Sequence, residues 1–192
     1  LKEELKKMEI EKYLESDNWF NYQKFYDFIS QKNYETLVEV GVWKGHSISY
    51  LANKNKSSKI WAVDLFEDTT DDYYQNESLK TQIPFIYEIY NMNLIKSNVR
   101  NNIIDIKGDS YESANKFTDE SIDFVFIDAN HEYDKVVSDI DVWYKKIKYG
   151  GIISGHDYGA WPGVTQAVDE FVQKNKLNLQ TDAGYVWYCY KK

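Results

Sequence analysis

The sequence predicts an α/β fold, doubly wound, with a mostly parallel seven-stranded sheet, N-terminal helices and a C-terminal antiparallel hairpin. Three observations carry that expectation. Short, nearly unbroken apolar runs recur along the chain, as strands buried on both faces require. Amphipathic stretches long enough for helices lie between them. A turn-like TDAG separates two strand candidates close to the end.

Taken in order, residues 1–35 read as helical, with Leu5, Met8, Ile10 and Leu14, then Trp19, Phe20, Phe25, Phe28 and Ile29, at three- and four-residue spacing among charges. Ser16 and Asp17 are candidate caps for a break between two helices. Strand-like runs follow at TLVEVG (36–41), KIWAVD (59–64), NIIDIKGD (102–109), IDFVFID (122–128) and GGIISG (150–155). Helix candidates alternate with them: HSISYLANKNK (46–56), PFIYEIYNMNLIKSNV (84–99), YESANKF (111–117) and YDKVVSDIDVWYKKIK (133–148). A last helix, VTQAVDEFVQKN (164–175), precedes LNLQ (177–180) and YVWYCYK (185–191), the expected hairpin. The implied organisation is one domain, 1–192: helices over 1–35, a core over 36–175 and a terminal hairpin over 176–192. Residues 66–83, rich in acid and tyrosine, exceed what a βα connection needs and read as a candidate lid.

Composition narrows the function. With 192 residues, 43% hydrophobic, and 23 basic against 31 acidic side chains, a balance of −8, the chain reads as soluble and globular. No apolar run approaches the ~18 to 20 residues of a membrane span. The start LKEELKKMEIEKYL lacks the apolar centre of a secretory signal, so a cytoplasmic protein is expected. The single cysteine, Cys189, can form neither an internal disulfide nor a zinc cluster and reads as packing within YVWYCY. One arginine, Arg100, and no basic run make nucleic acid an unsuitable partner, so a small molecule is expected instead. The aromatic content of 17% suits a homo-oligomer interface as well as a substrate pocket. Trp19, Phe20, Tyr22, Phe25 and Tyr26 read as packing against the sheet or a neighbouring subunit. Glu67, Asp68, Asp71 and Asp72 read as a solvated loop that would disfavour anionic substrates if it covered the site.

In an open α/β sheet, ligands bind beyond the carboxyl ends of the strands. The first strand ends in Glu39-Val-Gly41-Val-Trp-Lys-Gly45-His-Ser47, a glycine loop opening a helix, without the G-x-G-x-x-G spacing of dinucleotide folds. The second ends in Asp64, 23 positions after Gly41, close to the ~20 at which an acid meets the hydroxyls of an adenosine ribose. At the third, Gly108-Asp109-Ser110 offers either an adenine contact or a helix cap. The fourth and fifth end in Asp128-Ala-Asn-His131 and Gly155-His156-Asp157, placing two of three histidines at strand ends beside aspartates. Asp128, Asp157 and His156 are candidate ligands for Mg²⁺ or Mn²⁺, and His131 is a candidate general base. Local capping and hydrogen bonding would account for the same residues without a ligand.

These runs together, Leu37 to Ser47, Ala-Val-Asp64, Lys-Gly-Asp109-Ser110, Phe-Ile-Asp128-Ala-Asn-His131 and Gly-Gly-Ile-Ile-Ser-Gly-His156-Asp157, resemble the class I S-adenosylmethionine-dependent methyltransferases, whose fold is Rossmann-like. The likeness spans residues 36 to about 175 and is nearest to the small metal-assisted O-methyltransferases of the catechol, caffeoyl-CoA and macrocin types. It implies that Glu39, Gly41, Gly45 and Ser47 surround the methionine end of S-adenosylmethionine, Asp64 the ribose, and Asp109 with Ser110 the adenine. It implies Asp128 as first metal ligand at the edge of the cofactor site, His131 as base, and His156 with Asp157 as further ligands. Histidine at 156 departs from the acidic or amide residue usual there, which suits Mn²⁺ or another imidazole-accepting ion, or a site without metal. The implied acceptor is a small hydroxylated molecule, a sugar, polyol or catechol, with residues 66–83 and Trp161 as walls. An NAD(P)-dependent oxidoreductase and a non-catalytic cofactor-binding member of the fold are the alternatives.

Overall fold

Strands that carry branched and aromatic side chains on both faces need cover on both sides, and the central runs obtain it in one sheet. The computed structural model describes residues 10–67 and 77–192, together with Glu4 and Met8. Its strands are β1 Thr36–Val40, β2 Lys59–Asp64, β3 Ile103–Lys107, β4 Ile122–Ile127, β5 Ile147–Gly155, β6 Gln180–Asp182 and β7 Val186–Tyr190. They form a seven-stranded sheet in the order β3-β2-β1-β4-β5-β7-β6. The first five run parallel to one another, and β7 runs antiparallel to both β5 and β6. The expected Rossmann-like architecture and its antiparallel end are therefore present.

Apart from the edge strand β6, alternate residues of the strands face two separate apolar layers. Leu37, Ile60, Phe124 and Ile152 pack beneath helices α1 Gln23–Ser30, α2 His46–Lys54 and α4 Ile86–Lys96. Val38, Val63, Val125 and Ile153 pack beneath α5 Ser110–Ala114, α6 Tyr133–Lys146 and α7 Pro162–Asn175. A further helix, α3 Glu77–Lys80, precedes a 3₁₀ turn at Ile83–Phe85. Among the described residues, no helix is long and apolar enough to cross a membrane.

Several boundaries differ from the sequence expectation. Residues 12–22 are not helical, and Ser16 and Asp17 do not cap α1, whose N-cap is Tyr22. They serve instead as acceptors for Lys44, whose fully buried ammonium lies 2.7–3.3 Å from Tyr13 O, Ser16 O, Ser16 Oγ and Asp17 Oδ2. A buried ammonium has to find acceptors, and this chain segment supplies them by giving up helix. β5 begins at Ile147 rather than 150, with an irregularity opposite Ile122 and Phe124. The hairpin strand expected at 177–180 instead spans Gln180–Asp182, because Leu177 is drawn into the core and Lys176 ends α7 in the left-handed region. Of the candidate lid, 68–76 lie outside the described residues, as do Leu5, Asp68, Asp71 and Asp72.

Candidate functional site

The strand order reverses direction between β1 and β4, and a crevice opens beyond their carboxyl ends. Two cavities occupy it. One of about 400 Å³ runs past Gly41, Asp64, Phe66, Gly108, Asp109, Ser110, Asp128 and Asp139. The other, of about 490 Å³, is walled by Trp19, Tyr22, Trp43, Trp161 and Tyr185, with Ser47, Asp128, His131, His156 and Asp157 on its surface. Gly41, Trp43 and Asp128 border both, so the cavities meet there.

The loop after β1 has little freedom. Gly41 has φ +83°, and a Cβ there would stand 2.0 Å from the Asp128 carbonyl oxygen, so only glycine lets the ends of β1 and β4 close together. Gly41 N–H donates to Val63 O at 2.8 Å. Asp64 holds the next residues, with Oδ2 accepting from Val42 N at 2.8 Å and Trp43 N at 3.0 Å, and Oδ1 from Phe66 N at 2.7 Å. Burial raises its pKa against the pull of those three donors. Gly45, with φ +79°, opens α2 and lines neither cavity; its missing side chain makes room for Leu94 and Tyr90 of α4.

Glu39 also lines neither cavity. It is wholly buried, accepting from Tyr26 OH at 2.9 Å and from the Ser47 hydroxyl, and burial pushes its pKa up to about 8. It therefore stands one layer behind Ser47, which does reach the second cavity.

At the far strand ends, Asp109 caps α5 by accepting from Glu112 N at 3.1 Å, while Ser110 Oγ accepts from Trp143 Nε1 at 2.9 Å. Both line the first cavity, and Asp139 of α6 joins them. Where the cavities meet, Tyr22 OH donates to Asp128 Oδ2 at 3.3 Å and His156 Nδ1 lies 3.7 Å from Asp128 Oδ1. Asp157 is shared between two imidazoles, His156 Nδ1 at 3.2 Å from Oδ1 and His131 Nε2 at 3.0 Å from Oδ2. The His131 ring stacks on Trp161 at 4.4 Å between centroids, which fixes its plane.

Burial lifts the Asp128 carboxyl to about 6 even though both histidines favour its charged form. Burial works the same way on Asp157, but hydrogen bonds from His131 and His156 outweigh it and hold the carboxyl well below the usual range. For His156, burial opposes the charge, and its contacts with Asp157 and Asp128 nevertheless raise the pKa. Asp128, His156 and Asp157 each offer one donor atom within 4.8 Å of the others. Two carboxylates and an imidazole are a donor set that a divalent ion such as Mn²⁺ accepts.

The structure thus brings Asp64, Asp109, Ser110 and Asp128 onto one cavity, and Ser47, Asp128, His131, His156 and Asp157 onto the other, with Gly41 bordering both. It keeps Glu39 and Gly45 behind them. Sequence reasoning missed Tyr22, Lys44 and Asp139. For Asp139 a signal existed, since it falls in register with the buried stripe of Val136, Ile140 and Trp143 on α6.

The sequence matches the family described as "Methyltransferase domain" over residues 38–158. An uncharacterized protein, R132, of Acanthamoeba polyphaga mimivirus is 29% identical over 150 residues, covering 74% of this chain and 61% of that protein. The chain thus spans under two thirds of that relative's length. Among solved structures, a Staphylococcus aureus protein assigned as a caffeoyl-CoA O-methyltransferase superposes with TM-score 0.65 at 15% identity, covering 88% of this chain and 83% of that one. The O-methyltransferase TomG of Streptomyces achromogenes, in complex with SAM and involved in tomaymycin synthesis, gives TM-score 0.63 at 12% identity, covering 88% and 79%.

Proposed function

Because the chain belongs to the methyltransferase domain family, we propose that it moves the methyl group of S-adenosylmethionine to a hydroxyl of a small molecule seated in the aromatic cavity. The charge of the first cavity carries this reading. Among the described residues, Asp64, Glu67, Asp109, Asp128 and Asp139 line it against Lys135 alone. Such a lining repels the pyrophosphate of a nicotinamide dinucleotide and suits a cationic sulfonium with a donor-rich ribose and adenine. Asp64, whose three backbone donors leave about one acceptor position, receives a ribose hydroxyl there. The two cavities meet at Gly41, Trp43 and Asp128, where a methyl donor held in the first would face an acceptor held in the second.

The second cavity supplies the acceptor's half of the chemistry. A sulfonium methyl is already electrophilic, so the protein has to align an oxygen, take its proton and exclude water. Trp19, Trp43, Trp161 and Tyr22 form the walls that exclude water. His131 takes the proton: with Nε2 donating to Asp157, the opposite nitrogen is the basic one, and the Asp157 charge stabilises the imidazolium. Asp128, His156 and Asp157 would hold a divalent ion, Mg²⁺ or Mn²⁺. When bound, such an ion supplies Lewis acidity that lowers the pKa of a nearby hydroxyl. The acidic surroundings favour neutral acceptors, such as sugars, polyols and catechols, over acyl-CoA or phosphorylated ones.

The test is transfer of labelled methyl from S-adenosylmethionine to a panel of neutral glycosides, polyols and catechols, in EDTA and with added Mg²⁺ or Mn²⁺. Methylated product whose formation depends on His131 and Asp128 is expected. Unaltered turnover in both His131→Ala and Asp128→Ala contradicts the assignment.

A further inference from the structure

Two carboxylates stand at the end of the first cavity formed by Gly108, Asp109, Ser110 and Asp139, and they differ in what they have left to give. Asp109 is exposed and one of its oxygens is committed to the N–H of Glu112 as the cap of α5. Asp139 is 7% exposed, on the buried stripe of α6. The Ser110 hydroxyl beside it favours its charged form. Ser110 Oγ accepts from Trp143 Nε1 at 2.9 Å, and its single hydroxyl proton is the most it can offer Asp139. An ionised carboxylate offers about four acceptor positions, so most of Asp139's capacity is unspent. The charged groups facing it are Asp109 from α5, which repels it, and Lys135 one turn earlier on α6.

We propose that Asp139 reads the 6-amino group of the cofactor's adenine, so that this chain selects an adenine nucleoside over its 6-oxo counterpart. The inference rests on the S-adenosylmethionine reading above. A buried carboxylate with at most one hydroxyl to hold it is costly unless a ligand supplies further donors. The exocyclic amino group is the N–H donor of the adenine base, and it fits that need. In hypoxanthine an acceptor oxygen takes its place, and two acceptors would then face each other in a site shielded from water. Burial lifts the Asp139 carboxyl to about 6, so at neutral pH it is an anion and accepts only. The assignment moves base recognition from the strand-end loop to the helix after β4 and leaves Asp109 its structural cap.

The test is calorimetric titration of the full chain with S-adenosylhomocysteine and with S-inosylhomocysteine. The unmodified protein is expected to prefer the adenine compound by about 100-fold, because a site built to pair a donor leaves polar groups unpaired against the wrong base. Asp139→Asn is nearly isosteric, and its amide can turn either a carbonyl or an NH₂ toward the base, so the preference should fall to within about 3-fold. Asp139→Ala should weaken the adenine compound by about 10-fold or more. Asp109→Asn, which keeps a capping side chain, should retain the preference whatever its absolute affinity. A preference that survives Asp139→Asn, or that is erased by Asp109→Asn, overturns the inference. If the unmodified protein binds neither nucleoside, the cofactor reading itself fails and this inference falls with it.

Discussion

Replacing Glu39 by glutamine should change how stability depends on pH. Glu39 lies wholly buried under α1, held by Tyr26 and Ser47, and burial moves its pKa from an ordinary 4.5 to about 8. The folded protein then keeps a proton between those values that the unfolded chain releases. Its stabilising contribution is therefore complete below about pH 4.5 and is lost as pH rises toward 8. The whole difference corresponds to about 5 kcal/mol, and about 3 kcal/mol of it falls between pH 5 and 8. Glutamine does not titrate, yet its carbonyl accepts from one hydroxyl while its NH₂ donates to the other, as the protonated carboxyl does. Urea unfolding of both proteins across this range, read as the difference in unfolding free energy, cancels the titrating groups that do not interact with Glu39. The wild-type value should fall relative to Glu39→Gln by about 3 kcal/mol between pH 5 and 8. A difference that stays flat, or changes in the opposite direction, refutes the placement of a neutral carboxyl behind the loop.

Other substitutions probe the loop and the base separately. Gly41→Ala puts a methyl group 2.0 Å from the Asp128 carbonyl at φ +83°. It should cost at least about 2 kcal/mol in thermal unfolding and abolish S-adenosylhomocysteine binding, since the ends of β1 and β4 must part. Lys44→Met leaves Tyr13 O, Ser16 O and Asp17 without their buried ammonium and should destabilise the fold by about 2 to 4 kcal/mol in urea titration. His131→Ala should lower turnover about 100-fold or more while leaving S-adenosylhomocysteine affinity within about 2-fold, read by steady-state kinetics beside calorimetry.

Much of the fold is legible because its causes are local. The apolar runs of β1, β2 and β4 are near-continuous, so their burial on both faces follows from composition alone, and their ends locate Asp64 and Asp128. The hairpin register is not local. It depends on Leu177 choosing the core and on Gln180 pairing with Tyr188, a choice made by packing rather than by the TDAG turn. The N-terminal segment misleads for a similar reason, since Ser16 and Asp17 carry cap chemistry but spend it on Lys44, 28 and 27 positions away. In the site, the spacing of glycine and acid reveals which strand ends converge but not which carboxylate faces the crevice. Glu39 and Asp139 show the limit: one is an acid at a strand end that turns inward to Tyr26, the other an acid on a helix that lines the cavity.

The acidic cavity beyond β1, β2 and β3 is proposed to hold S-adenosylmethionine rather than a nicotinamide dinucleotide. Calorimetric titration of the purified chain with S-adenosylhomocysteine and with NAD⁺ and NADP⁺ tests it directly. Micromolar binding of S-adenosylhomocysteine with no detectable heat from either dinucleotide is the predicted result. Binding of a dinucleotide, or no binding of S-adenosylhomocysteine, would overturn that assignment of the cavity.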